Sequence, residues 1–357
     1  MVPMAAPPAE LFACPTCWSA LAWGSGLRCE ACGRGYLSPD GVPCFNDTGT
    51  YHGPILPKPE MAQALALART EGYRAVLRGY FAERDPELVR YISDRERTAG
   101  LRLLELSGDE RILDFGCAFG LFSTSLAARA KLVVALDVTH EKLAFLTIMR
   151  DQDGLSNLVP VCNGDAVRLP FADGYFDWII LNAVFEYLPR SIDPEDVRTA
   201  HLRALREFSR VLKPDGRIYL ATKNRFSYGA LLGGKDHGPR FASVLPRRAA
   251  RVVFRATRTD PSRHVVHSFR EYRRLLEQAG FPSAAFYWAF PTLWYPRHLV
   301  PLSGSRAETL AALRNISVTG ALKRACLTAA ARSGLLPALV PNYIILAGKP
   351  RASSPVR

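Results

Sequence analysis

Two groups of residues in this chain have types and spacings that could do chemistry. The first is a set of four cysteines, Cys14, Cys17, Cys29 and Cys32, arranged as two CxxC pairs separated by eleven residues. Each CxxC turn can present two thiolates to one metal ion, and two such turns complete a tetrahedral four-thiolate site. Gly33-Arg34-Gly35 follows, with the backbone freedom a metal knuckle needs. Disulfides are the alternative, but Met1 to Glu10 contains neither a basic stretch nor an apolar core, so no secretory leader is expected. The closed set of ligands leaves no open coordination position, so the expected metal is a structural zinc ion. Cys44 falls just past the second pair as a strand residue, and Cys117, Cys162 and Cys326 read as small core residues. The second group is acidic: Asp114, Asp137 and Asp165, each beside a short apolar run. A carboxylate at such a strand end can accept both hydroxyls of a ribose.

The elements that must place these residues alternate strand and helix. Arg111 to Gly120 (RILDFGCAFG) reads as a buried strand, a glycine turn and the start of a helix, the geometry that brings backbone close to a nucleotide. Leu132 to Leu136 is a second strand ending at Asp137, and a third ends near Gly164-Asp165-Ala166. A fourth runs from Phe176 to Asn182, and Leu212-Lys213-Pro214-Asp215-Gly216 turns into a fifth. Upstream, residues 46–59 have the glycine and proline content of a linker, and from Glu60 the apolar spacing becomes helical. Asp85-Pro86-Glu87 starts a second helix, expected to run to about Leu106. Tyr80 and Tyr91 at helical spacing read first as core, with substrate contact as the lesser reading. Near the other end, His267 through Phe281 reads as a helix feeding a sixth strand, and Asn342 to Ala347 as a last, antiparallel one.

This order resembles the class I S-adenosylmethionine (SAM) methyltransferases, of the methyltransferase type 11-like kind, joined to an amino-terminal four-cysteine ribbon. The resemblance implies an α/β fold: a Rossmann-like seven-stranded sheet with helices on both faces, plus a small zinc ribbon. It implies a ribbon module at 1–48, a linker and helical collar at 49–106, a catalytic core at 107–290 with a basic insertion at 223–268, and a carboxy-terminal extension at 291–357. It also assigns roles. Asp114, Gly116, Ala118 and Gly120 form the first loop, with Ala118 standing where the family has its middle glycine. Asp137 is expected at the ribose, Asp165 at the adenine amino group, Ala166 against the ring, and Asn182 at the head of the variable segment Asn182 to Leu188. Tyr187 replaces the family's frequent histidine, so no general base carries over there. The Asn/Asp-Pro-Pro-Tyr and Pro-Cys patterns of two nucleic-acid methylations are missing from this place.

Charge narrows the partner. Residues 1–222 carry 24 Lys+Arg against 28 Asp+Glu, whereas 223–357 carry 22 against 5, so a near-neutral part precedes a strongly basic one. The basic part implies an anionic partner: nucleic acid, a phosphorylated acceptor or an anionic membrane face. Arg247, Arg251, Arg255 and Arg258 fall on one helical face that could lie on such a surface. No run approaches the roughly 18 apolar residues a span requires, so a cytoplasmic enzyme, peripheral to a membrane at most, is expected. The leading expectation is SAM-dependent O-methylation of a saccharide, lipid-linked glycan or specialised metabolite. His237 beside Asp236 is the expected base and His267 the second choice. The rivals are a ribosomal or transfer RNA methyltransferase and, in another class, a non-catalytic SAM-binding or partner-docking protein. Against RNA, residues 1–60 hold 3 basic and 5 acidic groups, poor footing for phosphate.

Overall fold

Strands buried on both faces read as unbroken apolar runs, and the runs around the three aspartates do so because they form parallel strands. The computed structural model describes residues 8, 10–21, 27–45, 49–191, 197–231, 239, 241–258 and 265–350. The chain divides into two compact units. The first comprises Met1–Thr98, Leu103–Ile180 and Arg210–Lys213, and the second comprises Ala99–Arg102, Leu181–Ser209 and Pro214–Arg357.

In the first unit a two-stranded antiparallel hairpin, β1 (Leu27–Arg28) and β2 (Gly35–Tyr36), belongs to the cysteine module. The parallel strands are β3 (Arg111–Phe115), β4 (Leu132–Asp137), β5 (Leu158–Cys162) and β6 (Phe176–Asn182), in the order β5-β4-β3-β6. In such a sheet, ligands bind outside the carboxyl ends of the strands, where Asp137 and the residues after Phe115 and Cys162 lie. The collar helices Lys58–Thr70, Tyr73–Val76 and Pro86–Ser93, with the helical turn Leu77–Phe81, place Met61, Leu65, Phe81 and Leu88 in one buried cluster with Phe119 and Phe145. Phe81, Phe119 and Phe145 meet with centroids 5.4–6.3 Å apart, and burying each such ring is worth about 1.5–3 kcal/mol. The collar thereby holds the loop that contains Phe119.

In the second unit, β10 (Asn342–Gly348) lies antiparallel between β7 (Leu212–Lys223) and β8 (Ser283–Pro291). β9 (Pro296–Pro301) pairs antiparallel with β8. The seven expected strands are therefore present among the described residues as β3–β8 and β10, and β9 is an addition. Ser268 and Ser305 begin the helices Phe269–Gln278 and Arg306–Arg314 with reciprocal capping boxes to Glu271 and Glu308.

Two local expectations change. The helix that begins at Asp85, whose carboxylate caps Leu88 N at 2.9 Å, stops at Ser93 rather than Leu106. The Asp94 carboxylate takes the Glu96 amide at 3.1 Å, offering the backbone a turn instead, and 3-10 geometry continues from Arg95 to Leu103. The basic helix spans Arg247–Ala256, so Arg258, at φ 51°, has left the helical face on which its spacing placed it.

Candidate functional site

The first loop is built by backbone geometry that few residues tolerate. Gly116, Ala118 and Gly120 have φ of +74°, +52° and +79°. A Cβ on Gly120 would sit 2.4 Å from Leu146 Cδ1, so only glycine lets the helix Leu121–Ala127 start against the helix His140–Asp153. Gly116 N and Cys117 N both donate to Leu136 O, at 2.7 and 2.9 Å, tying the loop to the end of β4.

The two neighbouring carboxylates are held differently. Asp137 Oδ2 accepts the Ala118 amide at 2.9 Å and Oδ1 accepts the Thr139 amide at 2.9 Å. Each oxygen keeps a further lone pair, which suits a pair of adjacent hydroxyls. Asp114, 2% exposed, accepts the Ser123 hydroxyl at 2.5 Å and is also bonded by the Ser123 backbone. Burial pushes its carboxyl up to about 7; the Ser123 bond opposes this and the Asp137 charge adds to it. Asp165 stands exposed, and its carboxylate accepts Val167 N at 2.8 Å. Ala166 follows it, partly buried. Asn182 ends β6 and belongs to the second unit.

Sequence reasoning missed the residues that fasten this arrangement. Buried Asn163 donates its amide to Asp165 O at 2.9 Å, and its own backbone N donates to Asp137 O at 3.0 Å, so it links the two acidic loops. Lys142, 4% exposed, donates to His52 O at 2.5 Å, and His52 N donates to Thr139 Oγ1 at 3.2 Å. The segment read as linker is thus strapped to the loop after Asp137. Burial lowers the Lys142 ammonium's pKa, while Asp137 pulls it up. The available signal was position: Thr139 and Lys142 follow Asp137 within the first turn of the next element.

The four cysteines converge. Their sulfurs all lie within 4.8 Å of one another, with Cys14–Cys32 at 3.7 Å and Cys17–Cys29 at 3.4 Å. A zinc tetrahedron with Zn–S bonds of about 2.3 Å has edges of about 3.8 Å, so the donor set and spacing fit that ion. Burial raises the Cys14 thiol, but bonds to Tyr36, Cys17, Thr16 and Cys32 outweigh it and bring it down to about 6, toward the thiolate a metal requires.

The second unit contains a buried polar chain with one direction. Arg247 Nη2 can only donate, so His267 Nδ1 accepts from it at 3.2 Å. His267 Nε2 then carries the proton and donates to His201 Nδ1 at 2.9 Å, and His201 Nε2 donates to Phe185 O at 2.8 Å. Both imidazoles are neutral: burial brings His201 down to about 4, and burial with the charges of Arg247 and Arg225 lowers His267 well below its ordinary range. His267 has no free lone pair here, so it is a member of this chain rather than an available base. Glu186, 2% exposed, receives Thr222 Oγ1 on one oxygen at 3.4 Å, while burial raises its pKa. Asp236 and His237 lie outside the described residues.

Part of the chain is similar to known proteins. Residues 113–220 match a family described as "Methyltransferase domain". A biotin biosynthesis bifunctional protein of Cellvibrio japonicus is 33% identical over 37% of this chain and 24% of its own length. A demethylmenaquinone methyltransferase of Mycolicibacterium vanbaalenii is 33% identical over 34% of this chain and 46% of its own. A ubiquinone biosynthesis O-methyltransferase of Xanthomonas euvesicatoria is 33% identical over 40% of this chain and 51% of its own. The chain therefore matches between about a quarter and a half of these relatives' lengths. With its glycine loop, its strand-end carboxylates and this match, the stretch 113–220 belongs to the class I S-adenosylmethionine-dependent methyltransferases.

Proposed function

We propose that the chain transfers the methyl group of SAM to an oxygen of a small anionic acceptor of saccharide, lipid-linked glycan or specialised-metabolite type. The observation that carries the cofactor half is Asp137: both oxygens are fixed by backbone amides, and both retain capacity for a ribose hydroxyl. On this reading Gly116, Ala118 and Gly120 let the loop approach the methionine moiety, with Asp114 beneath it. Asp165 and Ala166 meet the adenine. An oxygen acceptor is favoured by relatives named ubiquinone biosynthesis O-methyltransferase and malonyl-[acyl-carrier protein] O-methyltransferase, 33% and 32% identical over the matched stretch.

Methyl transfer from a sulfonium is an in-line displacement, so alignment and exclusion of water supply most of the acceleration. An alcohol or phenol also needs its proton removed. His201 and His267 are engaged with each other and their neighbours, so of the two sequence candidates His237, next to Asp236 in the chain, is the proposed base. A structural zinc ion on Cys14, Cys17, Cys29 and Cys32 completes the assignment. Among the described residues no helix is long and apolar enough to cross a membrane, and contact with an anionic membrane is proposed as peripheral only.

The test is radiolabelled SAM with the purified chain and a fractionated lysate of its source. Label in a nuclease-resistant small-molecule or lipid-extractable pool is expected. Counts that disappear with nuclease would instead make nucleic acid the acceptor.

A further inference from the structure

The cysteine module does not hang from the sheet; it grips the loop that bears Asp165 at both ends. At the leading end, Cys162 N donates to Pro43 O at 2.8 Å and Phe45 N donates to Cys162 O at 2.9 Å, so Pro43–Phe45 pairs alongside the last residue of β5. At the trailing end, Ala13 N donates to Pro170 O and Ala172 N donates to Leu11 O, both at 3.1 Å, a short antiparallel bridge through Phe12 and Phe171. Arg210 adds a third tie. Its guanidinium sits 4.3 Å over the Trp18 ring while it donates to Leu169 O at 3.0 Å and Phe171 O at 2.9 Å. A fourth reaches the neighbouring loop, where His140 Nε2, three residues past Asp137, lies 3.2 Å from Pro39 O.

Within the loop between the grips Asp165 is exposed, Asn163 donates to Asp165 O and from its own backbone N to Asp137 O, and Val167 N donates to the Asp165 carboxylate. The gripping segments, in turn, depend on the cysteines. Cys14 directly follows Ala13, Trp18 directly follows Cys17, and Leu21 N returns to Phe12 O at 3.1 Å. A module whose regular structure among the described residues is two strands of two residues and a 3-10 turn at Pro39–Gly41 has too little core to fold alone, so metal binding and its folding are one event.

We propose that the four-cysteine module braces the Asp165 loop, so that metal occupancy of the module and SAM binding by the sheet are coupled equilibria. The inference rests on the cofactor reading of Asp165 and Asp137 and on zinc as the metal. Coupling is reciprocal: if metal tightens SAM, SAM tightens metal by the same factor.

The experiment uses the full chain loaded with zinc. SAM is titrated calorimetrically before and after stripping with a chelator, and zinc transfer to a chromogenic chelator is timed with and without saturating SAM. Stripping is expected to weaken SAM binding roughly five- to a hundredfold, and SAM to slow zinc release. Hydrogen exchange of amides 163–169 should quicken in the stripped chain. Phe45→Ala, which spares all four thiols but removes the ring that packs 5.4 Å from Phe12 and 5.0 Å from Tyr36, should keep one zinc per chain yet shrink the coupling, and it decides the matter if the stripped chain loses its fold. Equal SAM affinity with and without metal, SAM-independent zinc release, or undiminished coupling in Phe45→Ala would each overturn the brace. A zinc-loaded chain that binds no SAM sinks the cofactor reading beneath it, and a chain that binds SAM but retains no zinc sinks the metal reading.

Discussion

Asp137 and Asp114 sit on adjacent parallel strands, yet their surroundings give them opposite chemistry. Asp137 is bound by two amides that only a carboxylate satisfies together. Asp137→Asn turns an NH2 toward one of them, at a cost of about 1–3 kcal/mol, and should weaken SAM roughly tenfold or more by calorimetry. Unchanged affinity would remove Asp137 from the cofactor site. Asp114, pushed up to about 7 chiefly by burial, holds a proton in the folded chain that the unfolded chain gives up near pH 4. Its stabilisation is therefore full below about pH 4 and is lost as pH climbs to about 7, on the order of 4 kcal/mol. Asp114→Asn should flatten that slope in melts across this range; an unaltered slope would mean the carboxyl is already ionised when folded. Ala118 holds a left-handed φ of +52° that costs about 1–2 kcal/mol, offset by the entropy a glycine would lose. Ala118→Gly should raise the melting temperature slightly, and a clear fall would show that the methyl group packs usefully.

At the scale of elements, the chain Arg247–His267–His201–Phe185 pins the segment after β6 to two helices of the same unit. Around it lie Arg225, whose guanidinium is 3.5 Å from Glu271, and Glu271 itself, 3.6 Å from Arg247, so cations surround imidazoles that stay neutral. His201, lowered to about 4, binds its proton less readily folded than unfolded. Stability is thus complete above about pH 6.5 and lost as pH falls toward 4, on the order of 3 kcal/mol from this residue. His201→Phe should remove this residue's share of the acid-side loss and leave that of His267, whose pKa burial also lowers, while costing about 1–3 kcal/mol near neutrality from unpaired groups. A variant whose acid-side loss is undiminished would place its origin elsewhere. This chain was illegible in the sequence, because residues 185, 201, 247 and 267 share no period and meet only by tertiary folding. The glycine loop and the cysteine pairs were legible because their chemistry is local. Backbone φ demands glycine within five residues, and each CxxC turn fixes two ligands. The helix after Asp85 was misjudged at its end because one side-chain bond, Asp94 to the Glu96 amide, outweighed a continuing apolar pattern.

At the scale of the whole molecule, the question is what the uneven charge recognises. Residues 223–357 carry 22 basic and 5 acidic groups, a composition that by itself fits a polyanion. The structure spends part of that charge internally. Arg247 and Arg225 face Glu271, Arg225 also donates to Ser243 O at 2.9 Å and Leu245 O at 2.8 Å, and Arg247 donates to His267 Nδ1 at 3.2 Å. Arg258, off its helical face, does not extend a continuous track. A nucleic acid neutralised by six to ten cations would lose about a thousandfold or more in affinity between 50 and 200 mM salt. An acceptor presenting one or two anionic groups should lose at most about tenfold over that interval, because few ions are displaced and short-range pairs escape screening. Measuring acceptor KM across that salt series, with SAM saturating, separates the cases. A shallow dependence accords with a small anionic acceptor, whereas a steep one would reassign the arginines to phosphate contacts along a strand.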